Sequence, residues 1–275
     1  MQRDFGPRRQ LLFVAALLTS LLGASVSADD WLVYLGGGME PIEGGWDYHE
    51  GRVTFRKLGG TLVSTPFADV DLPTSAFITW QLNGRRETPP RSPIPASSED
   101  GASADGRVEV RCAKALVVSL IDGETIEVEG ETRTEIVHVA CFDAPDIRHR
   151  FPELSWFGRV TRTSIGHALK TGAEVCLAEL AMPQRDQDGH RIVYVTLASG
   201  KDYAAEAIRG GLGLLRPGPC ERAEAYRRLE DRAIAEERGL WGERSEEVAF
   251  AVAANTVAIG AGGVGTPPPR RVGGG

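Results

Sequence analysis

The sequence predicts a β+α protein: a five-stranded Greek-key barrel of the OB type with helices, preceded by a small β domain. Two observations carry this. From Val108 onward the apolar pattern runs three strands, a helix, two strands and two helices, the order of a small closed barrel with one intervening helix. Ahead of it, residues 29–83 hold short β-branched and aromatic runs cut by glycine pairs. With 275 residues, 42% of them apolar and 25% charged, the chain can bury one or two globular cores. Collagen-like, coiled-coil and wholly disordered classes are excluded.

The first segment, residues 1–28, reads as a signal peptide. Arg3, Arg8 and Arg9 precede the apolar run Leu11–Leu22, and Val26-Ser27-Ala28 supplies small residues for cleavage after Ala28. The run is shorter than the roughly 20 residues a membrane-spanning helix needs. An uncleaved anchor is the alternative. In either case the remaining chain is expected to be exported, to the periplasm or as a secreted protein, without stable membrane insertion after cleavage.

Over 29–83, Trp31–Leu35, Arg52–Leu58 and Leu62–Phe67 read as strands, and Val53 and Phe55 alternate with polar neighbours as in a half-buried strand. His49, beside Asp47 and Glu50, is expected in a surface loop. Nothing in this segment has catalytic spacing, and a protein partner docking on it is one reading. Residues 84–106 form a linker with Pro89, Pro90, Pro93 and Pro95 followed by Ser97, Ser98, Gly101 and Ser103.

The second domain, 107–243, opens with strands at Ala115–Ile121, Thr125–Val128 and Thr134–Phe142, the first two joined by a turn at Asp122-Gly123. Asp122 is expected to shape that turn. Phe157–Lys170 has helical spacing. Ala173–Ala181 and Arg191–Leu197 follow as strands. Tyr203–Arg209 is a short helix with Asp202 as N-cap, and Glu221–Arg238 a longer one ended by Gly239. Residues 244–275 are Gly- and Pro-rich and are expected to be disordered.

Removal of 1–28 takes three Arg and one Asp and leaves 28 basic and 37 acidic residues, a net charge of −9. Contact with nucleic acid must therefore come from a local patch against an unfavourable mean field. The sharpest basic cluster is Arg148-His149-Arg150, which either touches a substrate backbone or forms a solvated loop. Cys112, Cys141, Cys176 and Cys220 fit no zinc spacing; in an oxidising compartment an even count implies two disulfides, with three pairings open, and four buried thiols are the alternative.

Four landmarks in order carry a family resemblance: Ile121-Asp122-Gly123-Glu124-Thr125; Asp143-Ala144-Pro145-Asp146; Asp186-Gln187-Asp188-Gly189-His190 with the strand Ile192-Val193-Tyr194-Val195; and Ala207–Leu212 with Gly239-Leu240-Trp241 closing the domain. Together they make Val108–Glu243 resemble the staphylococcal nuclease (thermonuclease) family. The resemblance implies calcium-dependent hydrolysis of phosphodiesters in DNA or RNA. It assigns the metal to Glu124, Asp143 and the carbonyl of Ala144, with Asp146 on the attacking water and completing the cation site. The family's two phosphate-binding arginines fall on His138 and His190, and Arg191 stands one residue from the second. Histidine is mostly uncharged at neutral pH and lacks the planar guanidinium fork, so the expected site is weakened in charge. All four altered positions, Glu124, Asp146, His138 and His190, nevertheless keep an ionisable group. An enzyme with a weakened site and an inactive OB-type module binding nucleic acid or a protein are the two functional readings. The resemblance also implies the disulfides Cys112–Cys176 and Cys141–Cys220. Trp241 is expected in the core; Tyr226, on the last helix, is either core or surface.

Overall fold

The computed structural model describes residues 30–36, 38–83, 112–149, 152, 154–242 and 245. The signal segment, the linker and nearly all of the tail lie outside the described residues. The chain first forms a four-stranded antiparallel sheet, β1 (Asp30–Val33), β2 (Met39–His49), β3 (Arg52–Lys57) and β4 (Leu62–Pro66), in sequence order. The helix α1 (Leu72–Leu82) follows.

The structure departs from the small all-β domain expected here in three ways. The strand β2 spans Gly44 and Gly45, which read as loop punctuation; both have positive φ, at 70° and 82°, and form a bulge between Glu43 and Trp46. Helix α1 was not anticipated. Thirdly, this segment shares its core with the second domain. Phe77 stacks 6.2 Å from Phe157 and lies 4.3 Å from Trp241, and Leu32, Ile42 and Phe55 join the same buried cluster as Leu154, Ala233 and Leu240.

The second region is a closed five-stranded barrel, so the OB-type β+α class holds. Its strands are β5 (Ala113–Leu120), β6 (Thr125–Glu129), β7 (Thr134–Val139), β9 (Glu174–Arg185) and β10 (Arg191–Leu197), closing in the order β10-β7-β6-β5-β9. All pairings are antiparallel except β7 with β10. The predicted strand Thr134–Phe142 is split: β8 (Phe142–Asp143) turns off the barrel to pair with β11 (Leu214–Leu215).

Helix α2 (Leu154–Gly166) buries Leu154, Phe157, Thr161 and Ile165, a stripe at helical spacing. It begins three residues before the predicted start and ends four before the predicted end, at Gly166. Helix α3 (Tyr203–Arg209) has the expected boundaries, and its N-cap Asp202 accepts from the Ala205 N–H at 3.1 Å. Helix α4 (Ala223–Ala235) carries Tyr226, which is buried with its hydroxyl on Asp202 at 2.5 Å. Trp241 is wholly buried, as expected. His49 is exposed, at the end of β2.

Two disulfides are present, Cys112–Cys176 and Cys141–Cys220, the pairs implied by the resemblance, and among the described residues no cysteine is free. Such bonds belong to an oxidising compartment. No helix among the described residues is long and apolar enough to cross a membrane. The bonds close loops of 64 and 79 residues. Reducing them is expected to cost about 2–5 kcal/mol each, seen as a lowered thermal midpoint in reductant that a Cys-to-Ser variant reproduces without it.

Candidate functional site

A cavity of about 620 Å³ opens beside the β5–β6 hairpin, the loop after β8, the β9–β10 turn and the segment after β11. The N-terminal sheet region supplies part of its wall through Tyr48, Phe67 and Asp71. The site is thus built from both halves of the chain, which the sequence reading had kept apart.

The hairpin places Glu124. Asp122 shapes the turn as expected, its Oδ1 accepting from the N–H groups of Glu124 at 3.0 Å and Thr125 at 2.7 Å. Gly123 is required by close approach: a Cβ there would stand 2.5 Å from the Ala144 Cβ and 2.8 Å from the Thr161 Cγ2. With that gap closed, Glu124 Oε2 accepts from the Ala144 N–H at 2.8 Å. Asp143, on β8, is buried beside it.

Between the two acids lies Arg216, which sequence reasoning missed. Its Nη1 is 3.3 Å from Glu124 Oε1 and its Nη2 3.9 Å from Asp143 Oδ1. Its guanidinium also lies 5.4 Å from the centre of the Phe67 ring. The one signal available was an arginine directly after the apolar pair Leu214-Leu215 and before Pro217.

This arrangement does not fit the calcium set implied by the resemblance. Calcium takes about six to eight oxygen ligands. Here Glu124 already gives one oxygen to the Ala144 N–H and the other to Arg216, and Asp143 faces the same guanidinium. Asp146 turns its Oδ1 to the backbone N–H of Arg148. Among the described residues, the three acids do not all converge within 4.8 Å of one another.

Burial pushes Glu124 up, to about 8, against the pull of Arg216, and raises Asp143 to about 6. The folded-state value of Glu124 lies above the ordinary 4.5, so its contribution to stability is complete below that pH and is lost as the pH climbs through about 8. Glutamine mimics the protonated acid. Glu124→Gln is therefore expected to gain stability relative to the wild type as pH rises from about 5 to about 9, measured by urea unfolding at both. A constant difference between the two proteins would contradict the raised value.

The two histidines meet. His138 lies on β7, paired with Thr125 of β6 and Ile192 of β10; His190 ends the β9–β10 turn. Both reach Asp186 Oδ2, His138 through Nε2 at 3.0 Å and His190 through Nδ1 at 2.9 Å. Their rings stack at 5.9 Å. Asp186 Oδ1 accepts from the N–H groups of Asp188 at 2.9 Å and His190 at 2.7 Å, which fixes the carboxylate in the turn. Burial, then Arg216, lowers the pKa of His138.

Arg191 does not join them. Its guanidinium is held by Glu135 at 2.6 Å and Glu179 at 2.5 Å, because the next residue along a strand faces the other way. The candidate catalytic role for Arg191 is therefore corrected to an ion-paired position outside the cavity. The basic cluster is also divided. Arg148 is exposed and lines the cleft, 3.8 Å from Asp146 Oδ1. Arg150 lies outside the described residues. His149 is buried, with Nε2 at 2.6 Å from Asp71 Oδ2.

Asp71, likewise missed, also accepts from the Asp146 N–H at 3.0 Å and from the N–H and hydroxyl of Thr74 at 2.9 Å and 2.7 Å. It is both the N-cap of α1 and the anchor of the loop carrying Asp146. Comparison of the chain with protein families and with curated proteins finds no match.

Proposed function

We propose that the chain is an exported, thermonuclease-like phosphodiesterase acting on strands of nucleic acid. One observation carries the reading: Glu124, Asp143, Ala144, Asp146, His138 and His190, singled out by the resemblance, line one cleft together with the guanidinium of Arg216. In this reading Arg216 takes the part of the missing arginines. It neutralises the phosphate and the charge that builds on it as water attacks. Arg148, at the exposed edge, meets a neighbouring phosphate. Asp146, half-buried on the loop anchored by Asp71, takes the proton of the attacking water. The products are a phosphomonoester and a hydroxyl end. No step is assigned to calcium, since its carboxylates already hold Arg216. The two disulfides and the leader-like N-terminus support export.

The test is digestion of single-stranded DNA and RNA by the mature protein at about pH 5.5 and pH 8, with and without chelator. Arg216→Ala is expected to lower the rate by about 10²–10³, the usual effect of losing one preorganised donor, with folding checked by circular dichroism. Activity equal to that of a Glu124→Ala, Asp143→Ala variant would sink the enzyme reading. The Arg216–Glu124–Asp143 arrangement, in which one guanidinium already occupies both acids, favours a second reading as a binding module. It predicts that a labelled oligonucleotide binds, by fluorescence anisotropy, and stays intact.

A further inference from the structure

We propose that His138, Asp186 and His190 bind one divalent transition-metal ion of the zinc class. This deepens the phosphodiesterase reading by naming an ion for the same cleft. The metal site itself rests on separate observations.

The first is the donor set. Among the described residues these are the three side chains whose ligating atoms converge within 4.8 Å. Two imidazoles and one carboxylate suit zinc, cobalt or iron and not calcium or magnesium, which require oxygen. The separations of 3.0 and 2.9 Å from Asp186 Oδ2 to the two nitrogens are near the edge of a coordination polyhedron with bonds of about 2.0–2.1 Å. Asp186 is preorganised by the turn, with Oδ1 held by two backbone N–H groups and Oδ2 left toward the histidines. All three residues line the cleft, so a further position faces the cavity, as in catalytic sites with three protein ligands.

The second observation separates a metal site from a hydrogen-bonded triad. In a neutral triad His138 donates its Nε2 proton to Asp186, which leaves Nδ1 as an acceptor. That Nδ1 is buried, has no hydrogen-bond partner, and lies 3.8 Å from Glu124 Oε1. At 3.8 Å Glu124 is beyond hydrogen-bond reach, and its oxygens are engaged by Arg216 and the Ala144 N–H, so the buried nitrogen stays unsatisfied. A metal on Nε2 moves the ring proton to Nδ1. His138 would then turn an N–H toward Glu124 Oε1, 3.8 Å away, and a small approach would complete the carboxylate–histidine–metal arrangement in which an outer carboxylate orients the ligand. The ion would bring positive charge to the two positions where the resemblance expects arginine.

The experiment uses the mature, tag-free, metal-stripped protein with its disulfides intact and no reductant. Cobalt(II) is added and followed by visible absorption. Zinc(II) is titrated by calorimetry, and calcium is run as the hard-cation control. The expected result is one cobalt bound per chain with visible d–d bands, displaced by zinc and not by calcium. Loss of an outer-shell partner typically costs 10–100-fold in metal affinity, so removing a ligand in His190→Ala should cost at least about 100-fold. His190 is partly exposed, so its truncation spares the core, and Asp186→Asn gives an independent second loss. His49 and His167 are both exposed, and replacing them by alanine should change nothing. Absence of cobalt bands and of zinc heat at about millimolar metal would overturn the proposal, as would unchanged affinity in both His190→Ala and Asp186→Asn. A protein that binds zinc and cuts no nucleic acid keeps this site and loses only the hydrolase reading.

Discussion

Asp71→Ala is expected to lower folding stability by about 3–5 kcal/mol, the usual cost of removing one partner of a buried ion pair. Asp71 is 3% exposed, and four groups donate to its carboxylate: the Thr74 N–H and hydroxyl, the Asp146 N–H and His149 Nε2. The variant leaves a buried imidazole without its partner and uncaps α1. The loss depends on pH. Burial disfavours charge on His149, but the hydrogen bond and charge of Asp71, with Asp146 beyond, outweigh it and hold the pKa above the usual 6.5. The ion pair therefore contributes fully below 6.5 and fades as pH rises through the higher folded value. Urea unfolding at about pH 5.5 and pH 9 should show the larger loss at the acid value. A loss below about 1 kcal/mol at both would place this contact with ordinary surface ion pairs.

Trp241→Ala should cost a similar amount, about 3–5 kcal/mol, and should destabilise both halves of the chain. The indole lies 4.3 Å from Phe77 and 6.0 Å from Trp80, and the Trp241 carbonyl accepts from Trp80 Nε1 at 3.3 Å. Gln81 adds a bond to the Gly242 carbonyl at 3.0 Å. The wild type should unfold in one transition by tryptophan fluorescence and far-ultraviolet circular dichroism alike. In the variant both signals should move together. Two separate transitions in the wild type, with only one shifted by the substitution, would show that the halves are independent after all.

Much of the barrel was legible because its strands face one core and alternate. Arg191–Leu197 and Tyr203–Arg209 have the predicted boundaries, and the Asp202 cap and the Asp122 turn act through local side-chain geometry that a sequence displays. Helix α1 was opaque for a physical reason. Leu72-Pro-Thr-Ser-Ala-Phe-Ile-Thr-Trp-Gln-Leu is buried on nearly every side, so it has no polar face to mark its period. Its remaining signals were the Asp71 cap and Pro73 in the first turn.

The candidate site divides along the same line. Glu124, Asp143, Asp146 and His190 stand in short motifs visible in the sequence, and His138 stands at a fixed spacing from Asp143. Arg216 and Asp71 enter through contacts 92 and 75–78 residues distant in sequence, and no local pattern encodes such pairs. Asp186 was part of a quoted motif, but its role emerges only where β7 and β10 run side by side and bring the second histidine to it.

The reach from Trp80 to Trp241, 161 residues, has a consequence for how the molecule is made. The four-stranded sheet and α1 are synthesised before the elements that complete their core, Leu154 and Phe157 on α2, Ala233 and Ile234 on α4, and Trp241. Part of their apolar surface therefore stays open until Trp241 has been made. The same delay leaves those faces open to sticking together. Folding yield should then depend on whatever shields residues 30–83 until that moment.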